Sequence, residues 1–282
     1  MSTLIDNICS IIPDKLYIQL KYFYRFHKFP NLKNPQTYNE KLQWLKLYDR
    51  KPIYTTMADK YEAKKYVANI IGEEYIIPTL GVWDRFEDID FDSLPNQFVL
   101  KCTHDSGGLV ICKDKSSFDR DKAKRKINNS LNTNYFYHSR EWPYKNIKPR
   151  VIAEQYIENE NGDLPDYKFF SFDGQTKALY VATDRQSKEE TKFDFYDEHF
   201  NHLDLVNSHP NSNKENKKPK TFDKMIELAN ILSKGYPHIR VDFYEINGKT
   251  YFGELTFYHM SGFQPFIPEK WDYTFGEWLK IE

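Results

Sequence analysis

The chain divides by the period of its apolar residues. Through the first third they recur at three- and four-residue intervals, the spacing of one helical face. From about Pro95 they alternate, the spacing of a strand. Thr37 and Glu40 have the Thr-x-x-Glu form of a capping box and open a segment with Tyr38, Leu42 and Leu45 on one face. Ala63, Tyr66, Val67, Ile70 and Ile71 predict a second helix, with Gly72 as its stop. Residues 97–102 read as a strand, 103–108 as a loop and 109–112 as a returning strand. A basic helix follows, with Ala123, Ile127 and Leu131 spaced by four, and then a strand over 151–157. Residues 167–172 and 177–182 predict a hairpin turning at Asp173-Gly174. A helix from about Phe222 would bury Met225, Leu228, Ala229 and Leu232, and strands over 239–244 and 250–257 end the chain. Helices mixed with mainly antiparallel strands make the expected class α+β.

Composition narrows the function classes. With 282 residues there is room for two or three small subdomains, and 40% hydrophobic content excludes a disordered chain. Lys and Arg (40) balance Asp and Glu (41), so no basic excess marks a nucleic-acid coat or a polybasic membrane binder. No apolar run approaches the roughly 20 residues of a membrane span. Residues 1–13 carry no basic n-region and place Asp6 where an apolar core would be, so no secretory leader is expected. The odd, low cysteine count (Cys9, Cys102, Cys112) fits a reducing, cytoplasmic setting, with Cys102 and Cys112 as small buried hydrophobes. The many aromatics suit either core filling or a sugar-stacking surface. Residues 208–220 are polar and predict a mobile loop.

Candidate chemistry concentrates in the last hairpin. Alternation puts Ile239, Val241, Phe243, Leu255 and Phe257 on one side and Arg240, Asp242, Glu254 and Thr256 on the other. Two carboxylates converging from neighbouring strands offer hard oxygens suited to Mg²⁺; a solvated outer face is the plainer alternative. Register decides between them. A two-residue turn at Asn247-Gly248 sets Asp242 opposite Gly253 and sends Glu254 to the other face, whereas a three-residue loop over 246–248 keeps both carboxylates on one face with Arg240 opposite Glu254. The metal reading therefore expects the three-residue loop. Upstream, Lys101 closes a strand ahead of Ser106-Gly107-Gly108, where glycines would let backbone N–H groups approach phosphate; a plain turn fits the same residues. Glu154, and Lys168 beside Asp166, would each alone be surface charges. His104 could reach phosphate or be solvated. His199-x-x-His202 lacks the companions of a zinc site, and no Gly-x-Ser-x-Gly elbow is present.

The order of these parts resembles the ATP-grasp superfamily, in particular its TupA-like branch, linked to teichuronopeptide and capsular polysaccharide gene clusters. The carriers are Ala58-Asp59-Lys60, residues 98–108 (Phe-Val-Leu-Lys-Cys-Thr-His-Asp-Ser-Gly-Gly), residues 151–157 (Val-Ile-Ala-Glu-Gln-Tyr-Ile), Asp166-Tyr167-Lys168, Arg240-Val241-Asp242-Phe243 and residues 252–257 (Phe-Gly-Glu-Leu-Thr-Phe). The resemblance runs from about Tyr24 to the end. It implies an α+β, ATP-grasp-like fold in which two α+β subdomains grip ATP: a mainly helical region over 1–94, an N-subdomain with lid hairpin and hinge over 95–157, and a C-subdomain with the metal site over 158–282.

The resemblance also implies roles. Lys101 and Lys168 would contact ATP phosphates or adenine N7, with Lys60 among the nucleotide-binding residues. Ser106, Gly107 and Gly108 would cover the β- and γ-phosphates. Glu154, Gln155, Tyr156 and Ile157 would border adenine and ribose. Asp242 and Glu254 would hold Mg²⁺, with Thr256 standing where the superfamily commonly has a third ligand, Asn. Arg240 would face the transferred phosphoryl group or an acyl phosphate. The implied activity is an ADP-forming carboxylate–amine ligase acting on an amino acid and a uronic acid or other carboxylate of surface-polysaccharide synthesis. Its partners would be small-molecule or polysaccharide-precursor substrates and not nucleic acid; peripheral membrane contact and oligomeric state stay open. The alternatives are a glycosyltransferase of the same pathway, using Asp88-Ile89-Asp90 as an Asp-x-Asp metal motif, or a sugar kinase. Asp88 lies in an acidic linker where solvated charge is the plainer reading.

Overall fold

In the computed structural model, which describes residues 11–159, 164–184 and 190–281, the change of period near Pro95 becomes a change from helices to antiparallel sheets. Helices α1 (Asp14–Phe26), α2 (Tyr38–Tyr48), α3 (Ile53–Ala58) and α4 (Glu62–Ile71) come first. The capping box forms as expected: Thr37 Oγ1 accepts the Glu40 N–H at 3.2 Å and Glu40 Oε2 accepts the Thr37 N–H at 3.3 Å. Gly72, at φ +112°, ends α4 in a conformation that a side chain would resist. Among the described residues no helix is long and apolar enough to cross a membrane.

Two compact units make up the chain. The first takes the described residues of Met1–Asp14, Arg50–Tyr66 and Ile76–Ile157. Its sheet has the order β1 (Thr79–Trp83), β4 (Val151–Gln155), β2 (Phe98–Cys102), β3 (Leu109–Cys112), with every pair antiparallel. Helix α5 (Arg120–Leu131), capped by Asp119, lays Ala123 and Ile127 against Phe98, Leu100, Cys102, Val151 and Ala153; a short α6 (Phe136–Ser139) follows. The expected elements are present, except that β4 ends at Gln155 rather than at Ile157. Cys102 and Cys112 are both buried and free, and burial pushes the Cys102 thiol up to about 12, so it packs as a hydrophobe. Cys9 lies outside the described residues.

The second unit takes Lys15–Asp49, Val67–Tyr75 and the described residues of Glu158–Glu282. Its five-stranded antiparallel sheet runs β10 (Lys249–Thr256), β9 (Ile239–Ile246), β5 (Asp166–Phe172), β6 (Gln175–Thr183), β7 (Lys192–Asp197). Helix α7 (Phe222–Ser233) buries Met225, Leu228, Ala229 and Leu232 and packs on β5, β6 and β9, with Phe222 beside Phe169. A two-stranded ribbon pairs β8 (Val206–Asn207) with β11 (Phe266–Ile267), and α8 (Lys270–Trp278) packs on α2. The polar stretch 208–220 forms no helix and is tied to β7: Asp194 accepts from the Ser212 N–H at 2.9 Å and from Asn216 Nδ2 at 2.8 Å.

The β9–β10 hairpin corrects the expected register. Its turn is the two-residue one, with Asn247 at φ 51° and Gly248 at φ 77°, and pairing is regular from Ile246–Lys249 to Phe243–Phe252. Gly253 is then inserted as a bulge. Beyond it Asp242 pairs with Glu254, Val241 with Leu255 and Arg240 with Thr256. Both carboxylates thus share a face without the three-residue loop, and Arg240 stands opposite Thr256 rather than Glu254. The bulge is built for a residue without a side chain, since a Cβ at 253 would lie 3.0 Å from the Asp242 carbonyl oxygen and 3.2 Å from Tyr244 Cε2. Gly253→Ala is expected to cost about 1–3 kcal/mol, read from urea unfolding, because one of the crowded atoms is strand backbone. No loss would mean that the bulge tolerates a Cβ.

Candidate functional site

In the first unit, Lys101 on β2 and Glu154 on β4 lie on the sheet face away from α5. Glu154 is buried, and its two oxygens accept from Lys64 Nζ of α4 at 2.6 Å and from Lys101 Nζ. Lys64 Nζ also donates to the Ile77 carbonyl at 2.7 Å. Burial alone would raise the Glu154 carboxyl, but the two ammonium groups outweigh it and hold it at about 2. The same burial draws Lys64 below the usual lysine range.

The glycine loop is organised by Asp105. Its carboxylate accepts the Gly108 N–H at 3.0 Å and the Ser130 hydroxyl, and its carbonyl accepts from Lys60 Nζ. Gly108 is glycine for packing reasons: a Cβ there would lie 2.7 Å from Cys102 Sγ. Its N–H is already engaged, whereas Ser106 and Gly107 are exposed at the tip. His104 is buried, with Nε2 3.1 Å from the Ser130 carbonyl, so it braces the loop on α5 and is not solvated. After β4, the Gln155 N–H donates to the Pro78 carbonyl at 3.0 Å, the Tyr156 ring lies 5.5 Å from Lys113 Nζ, and Ile157 is half-buried. Asp88 is paired with Arg85 at 2.5 Å, and Asp90 accepts N–H groups of its own turn; each carboxylate of the Asp-x-Asp motif thus has local partners.

In the second unit, the sheet face away from α7 carries Asp166, Lys168, Arg240, Asp242, Glu254 and Thr256. Lys168 pairs with Asp242 across β5–β9, and Asp242 with Glu254 across β9–β10. Arg240 grips Asp242 in a two-point fork, Nε to Oδ1 and Nη2 to Oδ2, each at 2.7 Å. Nη2 also reaches Thr256 Oγ1 at 2.9 Å and Glu254 Oε1 at 3.1 Å. Lys168 Nζ bridges Asp166 at 2.7 Å and Asp242. Asp242 and Arg240 are buried, and the Glu254 side chain is 37% exposed. Burial pushes the Asp242 carboxyl above the usual carboxylate range, against the pull of Arg240 and Lys168. Burial also lowers Lys168, but Asp166 and Asp242 outweigh it and hold the ammonium above its usual range.

Mg²⁺ is usually held by one or two carboxylates completed by substrate phosphates and water. Asp242 and Glu254, opposite each other with the Thr256 hydroxyl beside them, fit that donor set. Among the described residues no group of three His, Cys, Asp or Glu side chains is arranged to hold a metal.

Sequence reasoning missed Lys64, because a helix lysine is ordinarily solvated and nothing in its spacing sets it apart. Asp166 was within reach: it lies two residues from Lys168 and shares its strand face.

A family model described as TupA-like ATP-grasp matches residues 40–280. No curated protein matches the chain. Among solved structures, D-alanine–D-alanine ligase from Bacillus anthracis complexed with ATP is similar at 17% identity and TM-score 0.40, over 71% of this chain and 54% of that one. The ATP-grasp ligase PsnB complexed with minimal precursor gives 10% identity and TM-score 0.43 over 74% and 54%. The L-amino acid ligase from Bacillus licheniformis gives 11% and 0.42 over 77% and 45%. The chain spans about half the length of each.

Proposed function

The chain belongs to the TupA-like ATP-grasp family, and from that premise we propose that it is an ADP-forming ligase joining a carboxylate to an amine through an acyl phosphate. The observation that supports this reading is the buried cluster on β5, β9 and β10, where Arg240 and Lys168 stand against Asp242 and Glu254 on one face. Phosphoryl transfer is catalysed mainly by position and fixed charge, and this face supplies both signs.

In this reading Asp242 and Glu254, with Thr256 beside them, would hold Mg²⁺, which when bound neutralises charge on the outer phosphates. Lys101, Lys168 and Lys60 bind the nucleotide, and Glu154 fixes the position of Lys101. Ser106 and Gly107 offer the loop's contacts to phosphate, while Gly108 shapes the turn. Residues 154–157 border adenine and ribose. Arg240 orients the acceptor carboxylate and stabilises the charge that develops as its oxygen takes the γ-phosphoryl group and ADP leaves. Amine attack then releases phosphate. The acceptor and donor classes, a uronic acid or other carboxylate of a surface-polysaccharide precursor and an amino acid, rest on family resemblance.

The test is to incubate the protein and Mg-ATP with pooled uronic acids and amino acids, add hydroxylamine, and follow ADP and hydroxamate together. Substrate-dependent ADP with hydroxamate is expected. ADP with phosphate found on a sugar hydroxyl would make the protein a kinase. Turnover of a nucleotide sugar without ATP use would make it a glycosyltransferase.

A further inference from the structure

A second layer of buried side chains stands behind Arg240, and the sense of each of its hydrogen bonds can be read from one end. Asn207, on β8, points its Nδ2 at the carbonyl oxygens of Pro265 (3.0 Å) and Gln264 (3.3 Å). The amide oxygen is therefore the atom that faces His259 Nε2, at 2.9 Å. A carbonyl oxygen only accepts, so Nε2 carries the imidazole proton. Nδ1 is left with its lone pair, 3.0 Å from Arg240 Nη1, which only donates. The imidazole is neutral in this arrangement. Burial and the neighbouring Arg240 charge agree, holding His259 well below the usual histidine range. Phe170 meets the ring edge-on at 4.9 Å and Tyr180 packs on it at 5.4 Å, which fixes its plane.

The consequence falls on Arg240. A guanidinium has five N–H bonds. Asp242 takes one on Nε and one on Nη2, Glu254 and Thr256 share the second on Nη2, and His259 takes one on Nη1. Among the described residues one Nη1 hydrogen has no partner. A two-point fork alone lets the guanidinium tilt about the axis through Asp242, and the third contact from His259 removes that freedom. We propose that His259 and Asn207 are positioning residues that lock Arg240 so that this remaining hydrogen meets the oxygen on which charge develops during phosphoryl transfer. The role rests on the ligase reading; the polarity of the relay does not.

Two measurements test it. ¹⁵N NMR of imidazole-labelled protein without nucleotide or metal should show His259 neutral, protonated on Nε2 and bare on Nδ1. The other tautomer, or an imidazolium, would overturn the relay. Titration calorimetry then compares Mg-ATP with Mg-ADP plus aluminium fluoride, a mimic of the group in transfer. Asn207→Leu and His259→Phe should lose about 100-fold in affinity for the mimic and keep that for Mg-ATP, since small misplacements act on the transition state. His259→Gln, which restores an acceptor, should recover most of the loss. Should His259→Phe not fold, Asn207→Leu carries the comparison, because it leaves the ring in place. Equal weakening of both ligands, or of neither, would reduce the layer to packing. A wild-type protein that binds neither ligand would remove the ligase reading and the role together, while the NMR spectrum still reports the relay.

Discussion

Replacing Asp242 with Asn is expected to abolish turnover and to cost about 3–5 kcal/mol of stability, whereas Glu254→Gln should abolish turnover at a cost under about 1 kcal/mol. The two carboxylates face each other on one pair of strands, so charge alone would predict the opposite: removing either should relieve repulsion and leave stability unchanged or higher. The contacts decide otherwise. Asp242 is buried between the Arg240 fork and Lys168, and its removal leaves two buried cations facing an amide. Glu254 is 37% exposed and meets Arg240 at 3.1 Å, so solvent screens most of what it contributes. Urea unfolding of both variants, with ADP release assayed in parallel, checks the split. Equal stability losses would show that the two carboxylates share their burden, and retained turnover in both would remove them from the site.

Glu154→Gln should be equally costly in the first unit, about 3–5 kcal/mol, because Lys64 and Lys101 would both lose their ion pair with a buried carboxylate. The wild-type protein also carries an acid signature of this pair. Glu154 is held at about 2 when folded, against an ordinary 4.5. Between those values the unfolded chain binds a proton that the folded chain does not, so stability declines as pH falls from about 4.5 towards 2. Above that window the contribution is complete and flat. Glu154→Gln should lack this component. Urea midpoints followed across the acid range would show it, and a variant with the wild-type acid slope would place the titration elsewhere.

What the sequence disclosed follows from periodicity. Thr37, the Ala63–Ile71 stripe and the Asp173-Gly174 turn act through neighbours a few residues away, so their signals survive in one dimension. Alternation likewise set Arg240, Asp242, Glu254 and Thr256 on one side of the final hairpin. The pairing behind that arrangement was misread, although a trace of it is visible. Phe252, Leu255 and Phe257 all face the core, and the first two are three apart, a spacing that a regular strand cannot bury on one face. That break, with a glycine inside it, marks a bulge. Gly108 carries a different ambiguity: a glycine required by the sulfur beneath it looks the same in sequence as one required by a ligand above it. Asn207 and His259 gave no signal, since one sits in a two-residue strand and the other beyond a strand end.

Gly253 also sets how this hairpin would respond to gain or loss of a codon. With residue 253 deleted, Phe252 and Glu254 become neighbours in a regular strand, on opposite sides as they are now, and Glu254 still stands across from Asp242. With one residue added and the ladder regular, Glu254 keeps its side but slides along the strand to stand across from Arg240. An insertion here would therefore alter the spacing between charges, a deletion would keep it, and neither would change the side they face. Relatives with one residue more at this point can keep the same side chains exposed to the same chemistry while setting the carboxylates at different separations.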